Sequence, residues 1–540
     1  MNLSNPNICL VIESLAETAP GSPSALHALK LARLCLENAL PLTVLYTGPE
    51  WSRQPALEKT LTAAGADFVF LQDPYCETNP KNGWGFLDQS LAVYDFLKNR
   101  THSHIVFEDQ RAAFRALQAK RMTGDFENAV LILSVHGPSQ RIREQREEWS
   151  GMPVQDALIS WCERYACEHC DCLVFKDESI RNWLTQNNWS FPENNRILPG
   201  LQSTTDATSK NWLALFSEKP PTAGRMEKIR RDIASHPPLV SVVIAHHNYG
   251  KYLPASLASF AASPYPNFEV IVVDDASSDE FSLRVFQEIQ EQYQAPQYKF
   301  LSNPVNLGVT STRNRGASLA RGEYLVFFDS DNIASPELLP TFVESILYCG
   351  VDYCTCFHKT FANTAETQAG AEILWEGTPA GAVLEIAWVE NIFGDLTHII
   401  KHSAFREIGG FTDGCRHAED LEFYTQLAMA GHTMDVVPRF LFWYRDNHSG
   451  LRHNCNLYQT YAVILQSYTR PLPALYQNIF NQILYPLARL AAYPPERERW
   501  HTPLFAAEHP RRVPPGRFIY SLLQQIERYI RKRYFGRNRN

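Results

Sequence analysis

The sequence lacks both a long apolar run and the pattern of a secretory leader. None of its 540 residues falls in a stretch of 18 or more apolar residues, so it offers no candidate for a transmembrane helix. The segment Met1 to Cys9 has neither the basic part nor the apolar part of a secretory signal. We therefore expect a cytoplasmic protein.

A complete zinc-binding pattern is also missing. Cys167 and Cys170 are spaced like half of a zinc site, but no second CxxC pair occurs, and Cys172 falls in a predicted strand. Cysteine is often buried and stays reduced in the cytosol, so unliganded thiols are favoured over zinc.

Composition limits the class of protein. Apolar residues make up 45% and charged residues 20%, as in ordinary globular proteins, and the length suits two or three domains. The net charge is −8 and no basic groove is evident, so no nucleic-acid partner is expected. A local excess of positive charge lies in 511–540, which has nine Arg or Lys against one Glu, and within it 517–535 has the pattern of a basic amphipathic helix. Two alternatives stay open: peripheral contact with the anionic inner face of a membrane, or packing on the preceding domain.

Alternating strand and helix patterns define the predicted domains. Residues 1–215 predict a Rossmann-like, doubly wound α/β domain, and 216–237 has the composition of a linker. A second α/β series occupies 238–455, and 456–540 is predicted to be helical with the basic tail. Sheets of this type bind ligands at the carboxyl ends of their strands.

Acidic residues follow two predicted strands of the second series. One strand ends in Asp274-Asp275, where a carboxylate can accept a hydrogen bond from a base or a ribose, although Asp is also a common turn residue. Another ends in Asp329-Ser330-Asp331. Two carboxylates this close favour a hard divalent cation shared with substrate phosphates, and the alternative is a turn leading to a helix N-terminus at Ser335.

Five segments in order resemble family 2 glycosyltransferases. The set covers about 210 residues, and it is the order and spacing of its members that make the resemblance specific. The segments are 240–250, 272–279, 306–316, 329–331 and 408–423.

The resemblance implies a GT-A fold and an inverting, metal-dependent sugar transfer. It implies the following roles: nucleotide contact by Asn248 and by Asp274 or Asp275, ribose or phosphate contact by Arg313, ribose or metal contact by Asp329, ligation of Mn²⁺ or Mg²⁺ by Asp331, and general base catalysis by Asp420 with Glu419 beside it. One base suffices because inversion needs no covalent intermediate. The predicted helix start at Asp420 should also favour its ionised form.

Some positions depart from the family pattern. Ala245 and His247 stand where the family usually has Pro and Tyr, and Thr312 replaces a smaller residue, which leaves the donor undetermined. Further on, Arg445 or His448 resembles a residue that reaches the diphosphate, and His448 is also a candidate metal ligand; the alternative for His448 is a surface histidine without a ligand.

The N-terminal region is similar to the N-terminal half of family 4 glycosyltransferases, which have a GT-B fold. The resemblance rests on 22–24, 134–137, 172–184 and 196–200. The half that carries the donor site in that family is absent, so residues 1–215 are expected to bind an acceptor glycan, position a partner, or be a remnant.

Two functions remain open. The first is an enzyme that transfers a sugar from a nucleotide-sugar donor to a glycan or lipid-linked acceptor in cell-surface glycan synthesis. The second is a non-catalytic glycan-binding or scaffold protein derived from such enzymes. The acidic residues at 329–331 and 419–420 favour the enzyme.

Overall fold

A computed structural model of the chain describes residues 6–14, 23–71, 85–147, 153–201, 206–363, 371–387, 391–415 and 418–447. These residues form two compact units. The first comprises those up to Asp232, apart from a short piece around Val154, and the second begins at Ile233. Among the described residues, none of the helices combines the length and apolar character that crossing a membrane requires.

The first unit is a parallel α/β fold, which confirms the predicted Rossmann-like architecture. Its seven strands follow the order β3-β2-β1-β4-β5-β6-β7, and all neighbours are parallel. The strands are β1 Ile8–Ile12, β2 Leu42–Tyr46, β3 Asp67–Phe70, β4 His104–Phe107, β5 Val130–Val135, β6 Cys172–Phe175 and β7 Asn195–Ile197. The helices are α1 Pro23–Glu37, α2 Pro55–Ala63, α3 Gly85–Lys98, α4 Gln110–Thr123, α5 Ser139–Arg146, α6 Pro153–His169, α7 Glu178–Gln186, α8 Ala207–Leu215 and α9 Arg225–Ser235. The start of α6 (153–154) and the end of α9 (233–235) are assigned to the second unit.

Local sequence explains these elements. The central strands are buried on both faces, as parallel strands covered by helices require. Asp109 caps α4 by accepting a hydrogen bond from the Arg111 backbone N–H, and Gly124 ends that helix in the left-handed conformation. Cys167, Cys170 and the other described cysteines of this unit are buried free thiols.

The second unit is built on a mixed sheet of nine strands. Its order is β10-β9-β8-β11-β15-β13-β16-β12, with β14 paired to β13. The strands are β8 Val240–His246, β9 Phe268–Asp274, β10 Tyr298–Ser302, β11 Tyr324–Asp329, β12 Ile333–Ala334, β13 Tyr353–Ala362, β14 Ile373–Gly377, β15 His398–Lys401 and β16 Met434–Asp446. The helices are α10 Leu253–Ala261, α11 Glu280–Gln292, α12 Val309–Ser318, α13 Leu338–Cys349, α14 Leu384–Ala387, α15 His402–Glu407 and α16 Glu419–Ala430.

Helix α12 lies close against strands β8 and β9. A Cβ atom at Gly316 would stand 2.5 Å from the Val243 side chain, so only glycine permits this approach. The close packing fixes the position of Arg313, one turn earlier in the same helix. The fold thus connects a glycine in the sequence to the placement of a candidate site residue.

Candidate active site

The acidic residues predicted at strand ends lie along one edge of the second sheet. Strands β9, β8 and β11 are parallel neighbours, with Asp274 paired in register to His246 and Asp329 to Ala245. Because the carboxyl ends of parallel strands share an edge, Asp274 and Asp329 come to the same side of the sheet. This edge is where an open α/β sheet binds its ligands.

The Asp274-Asp275 pair shapes the loops at this edge. The Asp274 carboxylate accepts hydrogen bonds from the Ser277 hydroxyl at 2.5 Å and the Ser277 backbone N–H at 3.2 Å. Asp275 accepts from Asn303 Nδ2 and from the backbone N–H groups of Leu307 and Gly308, at 2.7–2.9 Å. Burial would raise the pKa of Asp275, but these hydrogen bonds hold it below its usual value. Both carboxylates are thus already engaged by protein atoms.

Asn248 connects the loop after β8 to the loop after β9. It is exposed, and its side-chain oxygen accepts from the backbone N–H groups of Ser278 and Asp279, at 2.8 and 3.2 Å. Its neighbour His247 has Nδ1 2.9 Å from the Asp275 carbonyl oxygen. Asn248 and Ala276 both have positive φ, 55° and 54°, a strained conformation that clusters at functional sites.

Arg313 joins the two acidic motifs. Its guanidinium donates one hydrogen bond to Asp329 Oδ1 and one to Glu419 Oε1, each at 2.8 Å. The arginine side chain is only 4% exposed, and its guanidinium carbon lies 5.6 Å from the centre of the Phe411 ring. One buried cation therefore holds carboxylates from β11 and α16, separated by 90 positions in the chain, at a single site.

A second contact joins helix α12 to the segment that precedes α16. Asn314 donates through Nδ2 to the Phe411 carbonyl oxygen at 2.8 Å and accepts from the Phe411 backbone N–H at 2.9 Å. The turn before Phe411 contains Gly410 at φ +79°, where a Cβ would lie 2.7 Å from Asn314 Oδ1. The motif around Arg313 is therefore bound directly to the motif that precedes α16.

Carboxyl groups are crowded around Arg313. Burial, reinforced by Asp329, raises the pKa of Asp331 to about 7. Burial, reinforced by Glu419, likewise raises the pKa of Asp420 to about 7. Burial also raises the pKa of Asp329, although Arg313 opposes this. Such repulsion between carboxyls is characteristic of a site that binds a cation or proton.

The expectation that the helix N-terminus holds Asp420 ionised is wrong in direction. Asp420 lies in the first turn of α16 and accepts a hydrogen bond from the Leu421 backbone N–H at 2.7 Å. Burial and the adjacent Glu419 outweigh that stabilisation and raise the pKa. Ala418, just before the helix, has φ 50°, a further strained position at this site.

Asp395 belongs to this group of acids, although no sequence motif pointed to it. Burial, with Asp329 and Asp420 nearby, holds the pKa of Asp395 well above its usual range. Its backbone carbonyl accepts a hydrogen bond from the Tyr424 hydroxyl at 2.5 Å, which links it to α16. The only signal in the sequence was an acidic residue shortly before the strand β15, too common to select it.

Arg445 lies beneath the Asp329-Ser330-Asp331 turn. Arg445 is 1% exposed, and its Nε donates to the Asp331 carbonyl oxygen at 3.0 Å. Its guanidinium carbon lies 4.5 Å from the ring centres of Tyr252 and Phe361. The arginine thus supports the turn from within the protein. Its predicted alternative, His448, lies outside the described residues, as does the basic tail at 517–535.

Tyr249 completes the side of the site nearest this turn. Asn447 Nδ2 donates to its hydroxyl at 2.8 Å. Burial, with the negative charges of Asp331 and Asp329, raises the pKa of Tyr249 to about 12. The tyrosine therefore stays neutral and can donate a hydrogen bond toward the acidic turn.

Comparison with known proteins identifies the family. The model of Glycosyl transferase family 2 matches residues 241–411. An uncharacterized glycosyltransferase of Methanocaldococcus jannaschii is 35% identical over 234 residues, which are 42% of this chain and 78% of that protein. The chain belongs to the family 2 glycosyltransferases, as its motifs predicted.

Two other proteins are also similar to this chain. An uncharacterized glycosyltransferase of Haemophilus influenzae is 27% identical over 38% of this chain and 65% of its own length, so the chain spans a little under two thirds of that relative. A solved mannosyltransferase of Pyrobaculum calidifontis, in complex with GDP-Man and Mn²⁺, is 18% identical, with a TM-score of 0.36 over 50% of this chain and 79% of that one.

Proposed function

We propose that this chain is an inverting, metal-dependent glycosyltransferase. It moves a sugar from a nucleotide-sugar donor to a hydroxyl of a glycan or lipid-linked acceptor, in the synthesis of cell-surface polysaccharide or glycoconjugate. The supporting observation is the double hydrogen bond of Arg313, which brings Asp329 of one acidic motif and Glu419 of the other to one site. Each acidic motif alone can be explained as a turn or a helix start. Neither explanation accounts for both motifs meeting at the buried guanidinium of Arg313.

The donor set fits a hard divalent cation. Asp329 and Asp331 are carboxylates on one turn, and burial, reinforced by repulsion from Asp329, raises the pKa of Asp331. Mn²⁺ and Mg²⁺ take oxygen ligands of this kind together with substrate phosphates, so we assign these two residues as protein ligands. Bound there, the ion would neutralise charge on the departing diphosphate.

Asp420 is the proposed general base. Glu419 is held by Arg313. Among the described residues, the Asp420 carboxylate accepts its hydrogen bond from the Leu421 backbone N–H of its own helix. A pKa near 7 suits a group that takes a proton from an acceptor hydroxyl at neutral pH. Arg313 is then a positioning residue, because it holds both Glu419 and Asp329.

The nucleotide is expected over the loops that carry Asn248, Asp274 and Asp275. Asp275 holds the Leu307–Gly308 backbone in place, so it acts on the shape of this surface as well as through any direct contact. His247 lies between the Asp275 carbonyl and Asn306 Nδ2, which is 3.3 Å from its Nε2. Its imidazole supplies a polar ring where the family pattern has tyrosine.

A non-catalytic glycan-binding protein is the alternative. Such a protein has no need of carboxyls whose mutual repulsion is costly unless a cation or proton relieves it. The raised pKa values of Asp331 and Asp420 therefore favour the enzyme. Cytoplasmic location and contact of the basic tail with a membrane stay predictions.

Metal-dependent binding of a nucleoside diphosphate tests the proposal. We expect Asp331→Ala to abolish the increase in UDP or GDP affinity that Mn²⁺ gives to the wild type, measured by titration calorimetry. Glu288→Ala is the matched control, because that carboxylate is 63% exposed on the surface of α11. An unchanged Mn²⁺ effect in Asp331→Ala would remove Asp331 from the metal site.

A further inference from the structure

Three side chains of the first unit meet at the point where the order of strands in its sheet reverses. Strand β1 has β2 on one side and β4 on the other, so successive strands are added in opposite directions from there. Glu108 directly follows β4, His136 directly follows β5, and His27 lies in α1, the helix after β1. Ligands of doubly wound folds bind at such a switch point, beyond the carboxyl ends of the strands.

The three side chains are close together and almost fully buried. His27 Nδ1 lies 3.0 and 3.1 Å from the two carboxylate oxygens of Glu108, and His136 Nε2 lies 2.6 Å from Glu108 Oε2. Their side chains are 6%, 2% and 14% exposed for His27, Glu108 and His136. Within the described part of the chain, they form the one group of three metal-binding side chains whose ligand atoms all lie within 4.8 Å of one another.

We propose that the His27–Glu108–His136 cluster binds a divalent transition metal of the zinc class. Two imidazoles and one carboxylate form a ligand set that suits zinc, whereas Mg²⁺ prefers ligands that are all oxygen. Three protein ligands leave a fourth position open to water or to an oxygen of a bound molecule. Tetrahedral ligands about 2.1 Å from an ion lie about 3.4 Å apart. Each imidazole nitrogen would therefore move away from the Glu108 carboxylate by less than about 1 Å. The two imidazole nitrogens lie within 4.8 Å of each other and would close to about the same spacing.

The nitrogen atoms that face Glu108 are the ones that would bind the ion. His27 presents Nδ1 and His136 presents Nε2 to the same carboxylate. Hydrogen bonds between the imidazoles and this carboxylate are the alternative to a bound ion, and zinc titration distinguishes the two.

The surroundings of the cluster suit a bound ion. Trp212 is fully buried and its ring centre lies 5.6 Å from that of His27, which gives the site an apolar wall. An apolar shell limits water and strengthens ligand binding to the metal. Since the three ligands all lie in the first unit, the proposal does not depend on the function proposed for the second.

Zinc titration of the full chain tests this assignment. The Asp331→Ala variant serves as the parent, so that the proposed catalytic metal site does not contribute, and it is freed of metal by chelator and titrated with Zn²⁺ in excess Mg²⁺. We expect one tightly bound Zn²⁺ per chain. Adding Glu108→Gln or His136→Asn should weaken that binding by about 100-fold or more, since even outer-shell partners contribute about 10–100-fold.

The matched control is His102→Asn, which removes a buried histidine of the same unit outside the cluster and should leave the affinity unchanged. Circular dichroism checks that each variant is folded. If Glu108→Gln does not fold, the less buried His136→Asn decides the question. The assignment is overturned if the parent binds no stoichiometric Zn²⁺, or if the folded variant binds it as tightly as the parent.

Discussion

Replacement of Arg313 by glutamine should strongly destabilise the second unit. The guanidinium is the partner of two carboxylates, Asp329 and Glu419, and is almost completely buried. Removing one partner of a buried ion pair costs about 3–5 kcal/mol, because the remaining charges stay buried without compensation. We expect a loss of free energy of unfolding in this range at pH 8.

Arg313→Lys separates charge from geometry. Lysine keeps the positive charge but presents it at a point, whereas arginine reaches both carboxylates with separate N–H groups. Loss of one charged hydrogen bond costs about 1.5–3 kcal/mol. The lysine variant should therefore lie between wild type and Arg313→Gln.

The deficit of Arg313→Gln should also depend on pH. Without the guanidinium, the pKa of Asp329 rises further above its already raised value, so the folded state takes up protons more readily than the unfolded chain. Stability of the variant relative to wild type should then increase as the pH is lowered from 8 to 6. A larger deficit at low pH would contradict the argument.

Urea unfolding at both pH values measures these differences. Tryptophan fluorescence and far-UV circular dichroism are followed together, since a chain of two units need not unfold in one transition. The control is Arg284→Gln, which removes an exposed helical ion pair with Glu288 at 3.7 Å and should cost about 0.3–0.5 kcal/mol. If Arg313→Gln costs no more than this control, the buried bridge does not stabilise the site.

Two further predictions concern the sheet that carries the site. Glu269 accepts hydrogen bonds from Ser241 and Arg321, and these, together with Lys299, lower its pKa to about 2 although burial raises it. Glu269→Gln should therefore lower the free energy of unfolding by about 1.5–3 kcal/mol at pH 7. That difference should shrink as the pH falls from about 4.5 toward 2, because a carboxyl with a lowered folded pKa loses its contribution on protonation; urea unfolding at pH 7 and pH 3 measures it, and an equal cost at both would contradict it. Gly316→Ala should cost about 1–3 kcal/mol by pushing α12 away from Val243, and a thermal midpoint equal to that of wild type would show that the contact yields easily.

The part of the site that follows strands could be predicted from the sequence. Apolar runs that end in Asp274 or Asp329 mark buried parallel strands, and the carboxyl ends of such strands meet at one edge. The position of each acidic residue along the chain therefore fixed its side of the sheet. The order of the family motifs then allowed their roles to be assigned as expectations.

Contacts between distant segments could not be predicted in this way. Nothing local to Arg313 indicates that Glu419, 106 positions later, will share its guanidinium. Asp395 joins the acidic group only through the tertiary fold, and its pKa depends on neighbours from other segments. The pKa of Asp420 was misjudged for the same reason, since the helix start is visible in the sequence and the surrounding burial is not.

Turnover of a nucleotide sugar by Asp420→Asn tests the central claim most directly. The wild type is screened with UDP- and GDP-sugars in the presence of Mn²⁺, and the variant is compared on the donor that is consumed, with Glu288→Gln as control. Asparagine keeps the shape of the side chain but cannot accept the proton, so turnover should fall by about 10²–10⁴-fold while binding of the nucleoside diphosphate is preserved. If the turnover of the variant at saturating donor stays within about threefold of wild type, the loss is far smaller than removal of a positioned base should cause, and the mechanism is contradicted.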